Sequence, residues 1–372
     1  MRVCLDVQPA VSQRAGVGRY TRALVEHLVP VAQAHGDRLA LFYFDFRRRG
    51  EALRAPGAEV RAVRWLPGRY VQQAWRRLDW PPFDWFAGRA EVYHFPNFAV
   101  PPLTRGAAVV NIHDLGFLRH PQYAETRNQR YLASVIQRAA RRAARIVTAS
   151  RFAAREIEEW LHVPAGKVRV IANGIDIHPP GPGAASELRR RLGLERPYLL
   201  HVGTLEPRKN LAFLVEVFER LHGFDGDLVL SGALGWKCEA LLARIAASPL
   251  AARIRRLDYV SAADLPALYA GAALFAIPSH YEGFGFPPLE AMACGTPVVS
   301  SVGGSLQEVL GDAAVVMRPA AGASDWAAAI ESLLGNDARR TELTARGRLQ
   351  AARYTWESAA RATWDVYREV GA

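Results

Sequence analysis

Short apolar runs alternate with longer stretches of helical period from one end of the chain to the other. Strand-length runs fall at 2–7, 39–44, 91–94, 108–112, 145–148 and 168–171, and again at 198–202, 227–231, 254–257, 274–277, 297–300 and 313–316. Between them, segments such as 19–27, 128–144, 211–221 and 237–247 repeat apolar residues every three or four positions, which predicts helices. Apolar runs alternating with helices in this way predict parallel sheets covered on both faces. The alternation breaks once, at His178-Pro-Pro-Gly-Pro-Gly183. Proline stops a helix and glycine loosens the backbone, so the break predicts a linker over 179–192. The fold class is then α/β, with two Rossmann-like domains at 1–178 and 193–352 facing a central cleft. A terminal helix within 353–372 is expected to pack back on the first domain. Ligands of such sheets bind beyond the strand carboxyl ends.

Length agrees, since 372 residues are too many for one ordinary core and suit two of about 100–200. Half of the residues are apolar and 22% are charged, which excludes disordered, collagenous and low-complexity classes. Cys4, Cys238 and Cys294 are too few and too scattered for a disulfide framework or a zinc cluster. Asp6 interrupts the first apolar run, so no signal peptide is expected there, and no run reaches the ~20 apolar residues of a membrane span. A cytoplasmic protein is expected, peripheral on a membrane at most. The formal charge of +11 is uneven: residues 1–180 carry 27 basic and 15 acidic side chains, the remainder 20 and 21. The excess belongs to the first half.

Four constellations offer chemistry. Gly16-Val-Gly18 lies between the first strand and a helix. Its glycines admit an anionic ligand to the helix N-terminus, or else serve a plain tight turn. A dinucleotide fingerprint is weak, because Thr21 stands where a third glycine would. His113-Asp114 ends a strand, where histidine can hydrogen-bond a hydroxyl or manage a proton. A satisfied histidine beside a capping aspartate fits equally. Gly203-Thr204 leads to Arg208-Lys209 just ahead of a helix, an arrangement suited to a diphosphate. Lysine is informative there, because the chain holds three lysines against 44 arginines. The most specific is Glu282-Gly283-Phe284-Gly285-Phe-Pro-Pro-Leu289-Glu290. The glycine turn would expose N–H groups while Glu282 accepts from hydroxyls, and Glu290 near a helix start can bind a vicinal diol or merely complement the helix dipole. Gly303-Gly304-Ser305 is expected to open another helix with free N–H groups.

These landmarks, with Asn173-Gly-Ile-Asp176 and Tyr354-Thr-Trp-Glu357, resemble the retaining glycosyltransferases of group 1, family 4, whose fold is GT-B. The resemblance spans nearly the whole chain and implies roles for these residues. Glu290 would bind the ribose of a nucleotide sugar, and Arg208 and Lys209 its diphosphate. Glu282 with the 283–285 backbone would meet the sugar ring, and His113 would sit beside the reacting sugar; His113 and Glu282 are the catalytic candidates. Gly16, Gly18, Gly203, Thr204, Gly283, Phe284, Gly285 and Leu289 complete the donor-binding set. Anomeric configuration would be retained, without a cofactor and without an obligatory metal. Many relatives carry arginine where this chain has Thr204, so Arg208 would supply the second cation. The stretches around His113 and Arg208 look most like mannosyltransferases of polysaccharide and O-antigen assembly, which implies GDP-mannose and a saccharide or lipid-linked saccharide acceptor. A GT-B epimerase and a non-catalytic polyanion- or membrane-binding protein are the alternatives.

The surplus charge clusters with aromatics. Arg47, Arg48, Arg49, Arg76 and Arg77 interleave with Trp65, Trp75, Trp80 and Trp85. That composition suits anionic headgroups, where each basic residue contributes about 1 kcal/mol, and equally suits buried tryptophans under solvated arginines. Nothing in the sequence resembles a nucleic-acid-binding module, so no nucleic-acid partner is expected.

Overall fold

A computed structural model describes residues 1–13, 16–48 and 55–372; Arg49 lies outside the described residues. The chain divides into two compact units. The first comprises Met1–Pro121, Thr126–Gly174 and Thr355–Ala372, the second Gln122–Glu125 and Ile175–Tyr354.

In the first unit β1 (Arg2–Asp6), β2 (Arg38–Phe44), β3 (Glu59–Val63), β4 (Val92–Phe95), β5 (Ala107–Asn111), β6 (Arg145–Thr148) and β7 (Val168–Val170) form one parallel sheet, ordered β3-β2-β1-β4-β5-β6-β7. Val3, Cys4 and Leu5 are buried in succession, as they must be when both faces of a strand are covered. Helix Val17–Ala34 buries Tyr20, Leu24 and Leu28, one stripe at helical spacing. β3 has no counterpart among the predicted strands. It is an edge strand that buries only Val63, so no apolar run marks it.

The second unit repeats the plan with β8 (Tyr198–Val202), β9 (Asp227–Ser231), β10 (Ile254–Leu257), β11 (Leu274–Ile277), β12 (Val298–Ser300) and β13 (Val315–Val316), ordered β10-β9-β8-β11-β12-β13 and again all parallel. Its core joins Leu214, Phe218, Leu228, Leu230, Trp326 and Ile330. Each sheet has a topological switch point, between β1 and β4 and between β8 and β11. There the strand order reverses and leaves a crevice at the carboxyl ends.

The linker is shorter than 179–192. Residues 184–192 form the helix Ala184–Leu192, with Gly183 left-handed ahead of it and Leu188 buried, because Ala-Ala-Ser-Glu-Leu is helix-forming once past the prolines. Apart from the short excursion Gln122–Glu125, the crossings between units fall at Gly174/Ile175 and Tyr354/Thr355. Helix Trp356–Gly371 belongs to the first unit. Its Tyr367 hydroxyl donates to His94 Nδ1, and His94 Nε2 donates to Asn111 Oδ1 at 2.6 Å. Burial pushes His94 down to about 4, so the ring is neutral. Cys4, Cys238 and Cys294 are free and buried, and among the described residues no helix is long and apolar enough to cross a membrane.

Candidate active site

In the second unit the chain leaves β8 through Gly203 and an exposed Thr204, then makes one 3-10 turn, Pro207–Lys209. Asn210, left-handed at φ 56°, starts helix Leu211–Glu219. Both cations are therefore held ahead of a helix. Glu282 meets them from the loop after β11. Lys209 Nζ donates to its Oε1 at 2.6 Å and Arg208 Nη1 to its Oε2 at 2.7 Å. Ser279 Oγ also donates to Oε1, at 2.7 Å. Arg208 further grips the Tyr281 carbonyl and the Glu206 carboxylate, each at 2.6 Å. Burial alone would push the Glu282 carboxyl up. Arg208, Lys209 and Ser279 outweigh it and hold the group well below the usual carboxylate range. Lys209 is only 7% exposed, so its charge is held inside the cluster rather than in solvent. The cluster spans the β8/β11 switch point and places two guanidinium- or ammonium-type cations where a diphosphate can exchange for Glu282.

Ser305 clamps this loop. Its backbone N–H and Oγ both donate to the Glu282 carbonyl, at 2.9 and 3.1 Å. Gly304 sits at φ +67°, and a Cβ there would lie 2.2 Å from the same carbonyl. The Gly303 and Ser305 N–H groups are not free, contrary to what the sequence led us to expect: Gly303 donates to Ser301 Oγ and Ser305 to the Glu282 carbonyl. A local turn takes up the first and close packing on the Glu282 loop the second.

Helix Phe286–Ala293 begins one residue earlier than the prolines suggest, after left-handed Gly285. Glu290 falls in its second turn, 1% exposed, and accepts from the Tyr269 hydroxyl at 2.9 Å. Leu289 is fully buried, and Phe284 packs on Phe286 and Tyr354, so both support the loop from within. His201, inside β8, donates from Nδ1 to the Ala276 carbonyl at 3.0 Å; burial, then Lys209, push it down to about 4.

In the first unit His113 follows β5. Its Nε2 lies 2.9 Å from the Pro96 carbonyl, which can only accept, so Nε2 carries the proton and Nδ1 is the acceptor in the neutral ring. Burial lowers this histidine below its ordinary value, and the neutral form prevails. Tyr20 and Phe98 hold the ring edge-on, at centroid distances of 5.0 and 5.6 Å. His113 is half-buried as a residue, and its Nδ1 lone pair can take a hydrogen bond from a hydroxyl. Gly16 caps helix Val17–Ala34 at φ +57° and is exposed. A Cβ on Gly18 would meet the Gln13 carbonyl at 2.1 Å. The close approach Gly18 allows is to helix Gln8–Ser12 and the residue after it, a short element the sequence pattern does not announce.

The basic, tryptophan-rich segment separates into two environments. Trp65, Trp80 and Trp85 are exposed by 71, 56 and 61%. Trp75 is instead half-buried against Phe44 and Phe83, and its Nε1 donates to the Pro81 carbonyl. Arg47 and Arg48 are exposed, as are Arg76 and Arg77 on helix Gly68–Arg77. Sequence reasoning missed Glu206, Ser279 and Tyr269. The first two lie two and three residues before Arg208 and Glu282 and could have been read as local partners. Tyr269 reaches Glu290 from helix Leu265–Ala270, and no local signal marks it.

Paired parallel α/β units, each with polar side chains gathered at its switch point, and a buried cation–carboxylate cluster ahead of a helix suit the binding of an anionic ligand. Residues 186–350 match the family described as Glycosyl transferases group 1, and residues 14–179 match Glycosyltransferase Family 4. The chain belongs to these glycosyltransferases, with the GT-B fold of two Rossmann-like domains. It is 32% identical to the O-antigen chain mannosyltransferase B of Escherichia coli, covering 99% of this chain and 100% of that relative. Among solved structures, sucrose-phosphate synthase from Thermosynechococcus elongatus superposes with a TM-score of 0.79 at 21% identity, covering 99% of this chain and 98% of that one. Anabaena HepE in complex with UDP-glucose superposes at 0.72 and 19% identity, covering 98 and 100%.

Proposed function

We propose that the enzyme transfers mannose from GDP-mannose, with retention, to a saccharide or lipid-linked saccharide acceptor in O-antigen or related surface-polysaccharide assembly. The Arg208–Glu282–Lys209 cluster carries this reading. Its cations, paired with Glu282, would stabilise the charge that develops on a departing diphosphate, and preorganised donors of that kind contribute several kcal/mol to the rate. The full-length similarity to a mannosyltransferase and the UDP-glucose bound by a protein of like fold support the nucleotide-sugar donor. Glu290 would hold the ribose, exchanging its Tyr269 bond for the diol. Neutral His113 would take a hydrogen bond from a donor-sugar hydroxyl through Nδ1. Neither a cofactor nor a metal ion is required by this scheme, and insensitivity to EDTA checks that point.

A thermal-shift panel of GDP-, UDP- and dTDP-sugars tests the donor, since a ligand stabilises according to its affinity. The GDP-sugar should give the largest shift, and Glu290→Ala should reduce it. An equal shift in that variant contradicts the ribose assignment. Acceptor-dependent nucleotide release separates transfer from epimerisation, and the anomeric configuration of the product, read by NMR, tests retention.

The exposed Trp65, Trp80 and Trp85 beside Arg47 and Arg48 support docking of the first unit on the cytoplasmic face of an anionic membrane. Flotation with anionic vesicles should recover the protein and neutral vesicles should not; equal recovery from both sinks the idea.

A further inference from the structure

Four buried polar side chains from four elements of the first unit form one hydrogen-bonded row. They are Tyr367 of helix Trp356–Gly371, His94 of β4, Asn111 at the end of β5 and Tyr20 of helix Val17–Ala34. Tyr367 donates to His94, His94 to Asn111 Oδ1, and Asn111 Nδ2 in turn donates to the Tyr20 hydroxyl at 3.0 Å. The Asn111 backbone is used as well, its carbonyl accepting from the Phe98 N–H at 3.0 Å. Tyr20 and Phe98 are the two aromatic residues that stand edge-on to the His113 ring, at interplanar angles of 79 and 69°. One residue, two positions before the histidine, therefore anchors both. Packing does not explain an amide there. Val109 and Val110, the preceding residues of β5, are fully buried, and a third apolar side chain would fit such a strand at no polar cost. A satisfied buried polar row instead fixes one arrangement of the elements that contribute to it.

We propose that Asn111 is a positioning residue for His113: it holds Tyr20 through its side chain and Phe98 through its backbone, so that the imidazole keeps the plane in which Nε2–H meets the Pro96 carbonyl and Nδ1 is the acceptor offered to substrate. The link is geometric. Torsion about the Cβ–Cγ bond of histidine has broad wells, so a loosely held ring turns easily. The two edge-on aromatics narrow that freedom. Once they shift, the ring leaves Pro96, the preference for a proton on Nε2 goes with it, and the Nδ1 lone pair no longer points one way. Misplacing a reacting group by about 1 Å lowers turnover by about 10²-fold, so a small loosening has a large effect. Helix Trp356–Gly371 braces the row from its far end, through Tyr367 on His94 and through the Trp356 ring, 5.6 Å from that of Tyr20. The proposal rests on the reading of His113 as a donor-sugar contact in glycosyl transfer.

The test compares Asn111→Ser, Tyr20→Phe and Tyr367→Phe in the whole protein by two readouts. The first is nitrogen NMR of the histidine rings without substrate, the His113 signals being identified by their loss in His113→Gln. The wild-type ring should show one tautomer, protonated at Nε2. In Asn111→Ser its shifts should move toward the average of both tautomers, in Tyr20→Phe less far, and in Tyr367→Phe not at all. The second is steady-state kinetics with the donor selected by the thermal-shift panel. Asn111 is 2% exposed and out of a substrate's reach, so Asn111→Ser should lower kcat about tenfold with the donor KM within about twofold. Tyr20→Phe, which keeps the ring, should lower kcat about threefold, and Tyr367→Phe should cost thermal stability with kcat within about twofold. Mixed tautomers in the wild-type protein, a single Nε2-protonated ring in Asn111→Ser, or a kcat loss that follows melting temperature equally in Asn111→Ser and Tyr367→Phe would overturn the proposal. If Asn111→Ser does not fold, Tyr20→Phe decides, and an unchanged tautomer with unchanged kcat overturns it. Absence of nucleotide-sugar turnover by the wild-type protein would overturn the transfer reading instead, and the ring spectra, which need no substrate, would still decide the positioning.

Discussion

At the β8/β11 switch point the chain's own charges occupy the strand ends: Glu282 is clasped by Lys209, Arg208 and Ser279, and Glu206 completes the row. At the β1/β4 switch point the same topology leaves a cavity of about 600 Å³, lined by Asp6, in which Arg76 and Arg77 make no ion pair among the described residues. The difference shows two ways of receiving an anion. Where cations are already paired, an arriving diphosphate exchanges one partner for another, so geometry rather than charge sets its affinity. Where guanidinium groups stand unpaired, the ligand's charge adds directly, at the cost of a less fixed geometry.

Breaking the paired site should have the largest effect. Lys209→Met leaves a buried carboxylate with one cation fewer, which costs about 3–5 kcal/mol of stability and should lower turnover by about 10²–10³. Urea denaturation and initial rates measure both. A stability loss under about 1 kcal/mol would show that Glu282 relaxes into solvent.

Acid should weaken both units in parallel. His94 and His201, one in each unit, are held near 4, whereas an unfolded histidine titrates near 6.5. Between those values the unfolded chain binds more protons, so stability rises with pH and is lost as pH falls from about 6.5 toward 4. Each ring accounts for up to about 3 kcal/mol of that loss. Denaturation at pH 7 and pH 4.5 should reveal it, and His94→Asn or His201→Asn should each flatten the dependence.

Two glycines separate the sites. Gly304→Ala puts a Cβ 2.2 Å from the Glu282 carbonyl, and Gly18→Ala one 2.1 Å from the Gln13 carbonyl. Each should cost roughly 2 kcal/mol by thermal melting. Only Gly304→Ala should also weaken nucleotide binding, because only its neighbour belongs to the charged cluster. Smallest of all, Trp65→Ser and Trp80→Ser should leave stability within about 0.5 kcal/mol, both side chains being exposed, while reducing recovery on anionic vesicles.

Much of the second site was legible in the sequence. Arg208-Lys209 and Glu282/Glu290 stand in local contexts, a strand end and a proline-started helix, that point to their chemistry. The first site was less so. Trp75, Arg76 and Arg77 read as one stripe with Trp65, Trp80 and Trp85, because composition cannot tell a cavity wall from an exposed face. Gly18 read as a ligand contact because glycine signals close approach without naming what approaches. Ser305 read as a free donor because loop-to-loop contact lies beyond any local pattern.

Sequence alone determined the alternation of buried strands and helices, the excess charge of the first half, and the residue types able to hold a diphosphate. Those follow from the apolar period and from side-chain chemistry, both local properties. Only the tertiary structure decided which charges neutralise one another, that Lys209 and Glu282 are buried together, and that the β1/β4 crevice stays open. Such outcomes depend on distances between residues far apart in the chain, 73 positions for that ion pair, and parallel strand order rather than sequence order sets those distances.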